Sequence, residues 1–145
     1  MTTIVYRDGV LAADSRAYSG DKTPIGTKTK IHRREDGAIY GISTNDVGGD
    51  KLLRKWVEEG CNHPSGDDLK PDCFSMLLVD AMGQVFFAND NLSLSGPLEA
   101  EYFAIGTGRE YALAAFYMGA TAVQAIEVAK HFDVWSGGAT VSIGR

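Results

Sequence analysis

The chain has 145 residues, a formal charge of −5 and a sequence pI near 5.1. That length reads as one domain over 1–145, able to bury about two-thirds of its unfolded surface without disulfides, and the acidic balance with dispersed basic residues argues against a nucleic-acid footprint. Its two thiols, Cys61 and Cys73, read as reduced residues of a cytoplasmic protein with no targeting segment. No apolar run is long enough for a bilayer. A metal site on Cys61, His63 and Cys73 would need Asp67, Asp68 or Asp72 as fourth ligand with no recognised zinc spacing, so neither metal nor cofactor is expected.

In chain order, Thr2 to Tyr6 and Val10 to Ala13 are strand-like runs joined by Arg7-Asp8-Gly9, a strong hairpin signal because glycine accepts positive φ. After a turn-rich stretch over 19–26, the runs Thr29 to Arg33 and Ala38 to Ser43 flank a second such turn, Glu35-Asp36-Gly37. From Gly48 the period becomes helical: Leu52, Leu53, Trp56 and Val57 share a face, charged residues cover the rest, and Gly60 stops the helix. Residues 61–72 read as a loop. Phe74 to Val79 and Gln84 to Ala88 form another hairpin, and Tyr102 to Ile105 runs into Gly106-Thr107-Gly108 before a helix over Arg109 to Met118. Thr121 and Gln124 make a capping box for a further helix with Val123, Ile126, Ala129 and Phe132 as its apolar positions. Ser136-Gly137-Gly138 and the strand Ala139 to Ile143 close the chain. Two antiparallel sheets packed face to face under helices, an α+β sandwich, fit this order.

Thr2 is a candidate N-terminal nucleophile. A methionine before a small residue is usually trimmed, and the exposed α-amine, titrating at about pH 8, can then take the proton of the same residue's hydroxyl. The first hairpin brings Ala12-Ala13-Asp14 back beside Thr2. Period-two geometry puts Lys28, Lys30 and His32 on one strand face, from which a lysine can approach Asp14. A lysine held near the amine favours the neutral, proton-accepting amine, because like charges oppose one another. The alternative is a plain edge strand with an ordinary ion pair. A phosphate-binding reading of Gly106-Thr107-Gly108 lacks the lysine and longer glycine pattern of a P-loop.

Thr2-Thr3-Ile4-Val5, the run Gly9 to Ala17 containing Ala12-Ala13-Asp14-Ser15-Arg16, Lys30-Ile31, Ile105-Gly106-Thr107-Gly108 and Asp133-Val134-Trp135-Ser136-Gly137-Gly138 together resemble the proteasome β-subunit family, including the HslV peptidase. The likeness runs in family order over nearly the whole chain. It implies a four-layer αββα sandwich, the N-terminal nucleophile hydrolase fold, and a threonine-type endopeptidase acting once Met1 is removed. By position, the resemblance makes Thr2 the nucleophile, Asp14 and Lys30 its charged partners, and Asp133 and Ser136 the pair bracing the amine, with Thr107 a catalytic residue that keeps the hydroxyl of the family's Gly-Ser-Gly turn. It also implies Ala17, Lys28, His32 and Ser43 as substrate-binding residues of a basic pocket suited to acidic or polar side chains.

Two departures stand out. Thr44-Asn45-Asp46 replaces the family's small-Gly-Gly turn, leaving the Asn45 backbone N–H as oxyanion donor, and 61–72 stands where relatives carry a second long helix. Implied partners are a peptide or unfolded protein substrate, a homo-oligomeric ring, single or stacked in two, and an ATP-dependent unfoldase. The competing readings are a non-catalytic scaffold subunit and a small-amide hydrolase of the same class.

Overall fold

The computed structural model describes residues 2–19, 21–45, 48–62 and 73–145. Strands β1 (Thr3–Arg7) and β2 (Val10–Ala13) form the first hairpin, with Asp8 and Gly9 both at positive φ in the turn. They lie at the centre of a four-stranded antiparallel sheet, order β10-β1-β2-β11, with β10 (Tyr102–Gly106) and β11 (Val141–Gly144) outside. A two-stranded ribbon, β3 (Arg16–Tyr18) with β4 (Pro24–Thr27), follows. The second sheet is five-stranded, β5 (Ile31–Arg33), β6 (Ile39–Thr44), β7 (Phe74–Val79), β8 (Val85–Asn89) and β9 (Ser95–Leu98) in that order.

Three apolar clusters define the layers. Ile4, Leu11, Ile31, Ile39, Leu77 and Val79 fill the space between the two sheets. Gly41 allows this approach: a Cβ there would stand 2.8 Å from Ile4 Cγ2 and 2.9 Å from Ile31 Cγ2. Helix α1 (Gly49–Glu58) covers the outer face of the five-stranded sheet, burying Leu53, Trp56 and Val57 on Tyr40, Met76 and Leu78. Helices α2 (Arg109–Tyr117) and α3 (Ala122–Phe132) cover the other sheet, where Ala112, Phe116, Ala125, Ile126 and Ala129 meet Val5 and Ala12. The architecture is therefore helix, sheet, sheet, helix pair, as the order of elements implies. Each fully buried Ile, Leu or Phe contributes about 1.5–3 kcal/mol.

The capping box at α3 forms in full, Gln124 N donating to Thr121 Oγ1 and Thr121 N to Gln124 Oε1. The helical apolar stripes are narrower than their periodicity suggests. Leu52, Val123 and Phe132 are exposed, as are Tyr117 and Met118 at the end of α2. Strands β4 and β9 occur where turn-like, polar sequence carries no alternation. Residues 63–72, which hold His63 and most of the expected loop, and the Asp67, Asp68 and Asp72 of the hypothetical metal site, lie outside the described residues, as does Met1. Among the described residues no helix is long and apolar enough to cross a membrane, and no cluster of three metal-ligating side chains occurs.

Candidate active site

The site is assembled where β1 begins, and its neighbours come from four other places in the chain. Antiparallel pairing of Thr3 with Gly106 and of Ile4 with Ala13 brings Gly106-Thr107-Gly108 and Asp14 to the same end of the sheet. The close approach requires glycine: a Cβ on Gly106, at φ +96°, would overlap the Thr2 carbonyl oxygen, and one on Gly108 would overlap Thr3 Oγ1. Thr2, Thr3, Asp14, Lys30, Asp133 and Ser136 are all buried.

Two hydrogen-bonded groups flank Thr2. In the first, Lys30 Nζ donates to Asp14 Oδ1 at 3.0 Å and Oδ2 at 3.1 Å. Asp14 Oδ1 also accepts the Thr3 N–H and Oδ2 the Gly137 N–H, both at 3.0 Å, so each oxygen serves two donors. Burial lowers the Lys30 pKa below the ordinary lysine value, and the Asp14 charge opposes that shift. The second group braces the Thr2 nitrogen, whose N–H donates to Thr107 Oγ1 at 3.2 Å. Thr107 Oγ1 in turn donates to Asp133 Oδ2 at 2.7 Å, a shorter contact than its 3.4 Å approach to the Thr2 carbonyl. Ser136 Oγ donates its proton to the same Asp133 oxygen at 2.6 Å, which leaves Thr3 Oγ1 as donor in the 2.7 Å Thr3–Ser136 contact. Every proton in the chain Thr3–Ser136–Asp133–Thr107 thus points toward the carboxylate. Thr107 is left to accept from the Thr2 nitrogen.

A cleft of about 330 Å³ opens over Thr2 and Lys30, lined also by Arg16, Ala17, Lys28, Thr44, Asn45 and Lys51. Asp50 tempers its positive charge, standing 3.6 Å from Lys28 Nζ. A second cleft, of about 380 Å³, lies on the Thr107 side, and Asn45 borders both. Of the substrate-binding residues expected from sequence, Ala17 and Lys28 line the first cleft. Ser43 lines the second instead, and His32 lines neither. The reason is that strand geometry starts only at Ile31. Lys30 precedes it and turns to Asp14, while the His32 ring tilts against Tyr40 at 5.5 Å on the α1 side. Burial, reinforced by the Arg54 charge, lowers the His32 pKa to about 4.

The sequence singles out neither Thr3 nor Arg16 as a site residue. Thr3 follows a candidate nucleophile, and alternation sends its side chain to the face opposite Thr2, where Ser136 waits. Arg16 lies inside the Ala-Ala-Asp-Ser-Arg run and packs over Gly137, where any Cβ would collide with its guanidinium.

No protein-family model matches the chain, and no curated protein matches it by sequence. Among solved structures, it is similar to eukaryotic HslV from Trypanosoma brucei, with a TM-score of 0.74 and 17% identity over 98% of this chain and 97% of that one. Thiobacillus denitrificans BPH is similar with a TM-score of 0.68 and 19% identity over 98% and 95% of the two chains. The same protein in complex with epoxomicin gives 0.69 and 19% over 98% and 96%. Over essentially its full length the chain therefore has the fold of the proteasome-type β-subunit HslV, the N-terminal nucleophile hydrolase fold.

Proposed function

We propose that the chain is a threonine-type endopeptidase in which Thr2, freed of Met1, supplies both nucleophile and base. The observation that carries this reading is the Thr2 nitrogen bonded to a Thr107–Asp133–Ser136 network on one side, with Lys30, held by buried Asp14, sharing the Thr2 cleft on the other. The amine lone pair takes the Thr2 hydroxyl proton as Oγ1 bonds to the peptide carbonyl carbon, and the carbonyl electrons move to oxygen. The Asn45 backbone N–H stabilises that oxyanion. The ammonium then protonates the leaving nitrogen and the C–N bond breaks, leaving an ester on Thr2. Water, deprotonated by the same amine, adds to the ester. Collapse expels Thr2 Oγ1, which regains its proton, and releases the acid product.

Lys30 contributes positive potential where negative charge develops and disfavours the protonated amine. Asp14 keeps that cation in place. The lining of Arg16, Lys28, Lys30 and Lys51 against Asp50 suits acidic or polar side chains on the acyl side. The fold shared with HslV supports peptide or unfolded protein as substrate, and a homo-oligomeric ring fed by an unfoldase is part of the same proposal. Exposed Tyr117, Met118, Phe132 and Val134 on and beside the outer helices offer apolar area for subunit contacts.

Hydrolysis of acidic, basic and apolar fluorogenic peptides by the parent and by Thr2→Ala tests the proposal. The parent should cleave, and the variant should be inactive while keeping the parent's circular dichroism and melting transition. Equal turnover by a folded Thr2→Ala protein would refute the assignment. A scaffold subunit would show no turnover in either, and a small-amide hydrolase would turn over amides but ignore peptides.

A further inference from the structure

The second cleft carries an inference that rests on the endopeptidase reading. It is bordered by Thr107 and Gly106 on one wall and by Ser43, Ser75 and Phe87 on the other. Its position relative to the chemistry follows from proton transfer. The nitrogen that must protonate the leaving group is the Thr2 amine, and that nitrogen is bonded at 3.2 Å to Thr107, a wall residue of this cleft. The Thr2 and Lys30 side, by contrast, opens into the first cleft. A peptide crossing Asn45 therefore keeps its acyl part in the first cleft and sends its departing amine into the second.

Among the described residues, Arg109 is the one Lys, Arg, Asp or Glu in the lining of the second cleft. Its Nη1 donates to the Gly106 carbonyl at 3.0 Å, which tethers the guanidinium beside the Gly106-Thr107 wall. Among the described residues no carboxylate pairs with it or faces its remaining N–H donors. A tethered guanidinium with open donors in a cleft otherwise lined by uncharged side chains is arranged to bind a carboxylate bidentately. We propose that this cleft is the leaving-group subsite and that Arg109 selects substrates carrying a carboxylate just beyond the scissile bond. The carboxylate is either an Asp or Glu side chain or the α-carboxylate of a short departing fragment.

The test is a ratio read within each enzyme, so general losses of activity cancel. Internally quenched peptides identical on the acyl side carry Glu or Gln at the first or second position beyond the cleavage point. A second pair ends there with a free or an amidated C-terminus, which separates the two sources of the carboxylate. In the parent, kcat/KM should favour the anionic member of at least one pair by about tenfold, the range of a charge-assisted hydrogen bond. Arg109→Gln should bring that ratio to about one, and Arg109→Glu should invert it toward a Lys-containing peptide. A parent that cleaves both members of each pair equally, or an Arg109→Gln enzyme that keeps the parent's ratio, overturns the subsite while leaving the peptidase reading intact. A parent that cleaves the aminocoumarin amide of the same acyl segment but no peptide overturns the subsite as well. A parent that cleaves nothing overturns both.

Discussion

Replacing Asp14 by Asn probes whether the buried pair beneath Thr2 is a structural and electrostatic necessity or merely an ion pair at a strand end. Each carboxylate oxygen receives two N–H donors at 3.0–3.1 Å. Either orientation of an asparagine amide therefore sets an NH₂ group against donors. Lys30 is left buried without its counter-charge. Removing one partner of such a pair costs roughly 3–5 kcal/mol. With an unfolding entropy of about 2.1 cal/mol/K per residue, 145 residues convert that loss to about 10–16 °C in Tm. Lys30 already has a lowered pKa from burial, opposed by Asp14, so losing Asp14 lowers it further. Between that folded value and the ordinary lysine value the unfolded chain holds more protons, so the variant's stability rises with pH there. Urea unfolding near neutral pH and again at mildly alkaline pH should show a large deficit that narrows as pH increases. A loss under about 1 kcal/mol, the range of a solvated pair, would refute the reasoning.

Two further predictions follow from the same geometry. Gly106→Ala places a Cβ into the Thr2 carbonyl at φ +96°; the folded variant should lose about 100-fold in kcat, the scale of an ångström misplacement, and parent-like kcat would show that Thr2 is not held from this turn. His32, with its pKa lowered to about 4, binds a proton less readily folded than unfolded. Stability should therefore fall as pH drops from about 6.5 toward 4, and a His32→Phe protein should have a shallower acid limb in urea titrations. An unchanged limb would contradict the burial of that ring.

Much of this arrangement can be read from residues because short-range chemistry dictates it. Asp8-Gly9 permits only a tight turn, and the register that results returns Asp14 to the start of β1. Resemblance alone points to Asp133 and Ser136 beside the Thr2 nitrogen, and it does not anticipate the Thr107–Asp133 hydrogen bond, since 26 residues separate the two and no local pattern joins them. Other features depend on tertiary packing. Leu52, Val123 and Phe132 obey helical periodicity yet remain exposed, because periodicity identifies a stripe and not what covers it. Strand β9 pairs with β8 through exposed Ser95–Leu98, where edge position replaces alternation as the cause of extension. The resemblance implies His32 beside the substrate, whereas its ring lines neither cleft, because β5 starts at Ile31 and turns it toward Tyr40. Nothing local marks Thr3, because the Ser136 hydroxyl it bonds lies 133 residues away.

The central claim is that the hydroxyl and amine of Thr2 act together, and intact mass spectrometry after incubation with a threonine-directed β-lactone tests it most directly. The account predicts a chain lacking the mass of Met1 that gains one acyl group, with fragmentation placing it on Thr2 and no adduct on Thr2→Ala. Retention of Met1 throughout, or an adduct that persists on the Thr2→Ala chain, would contradict it.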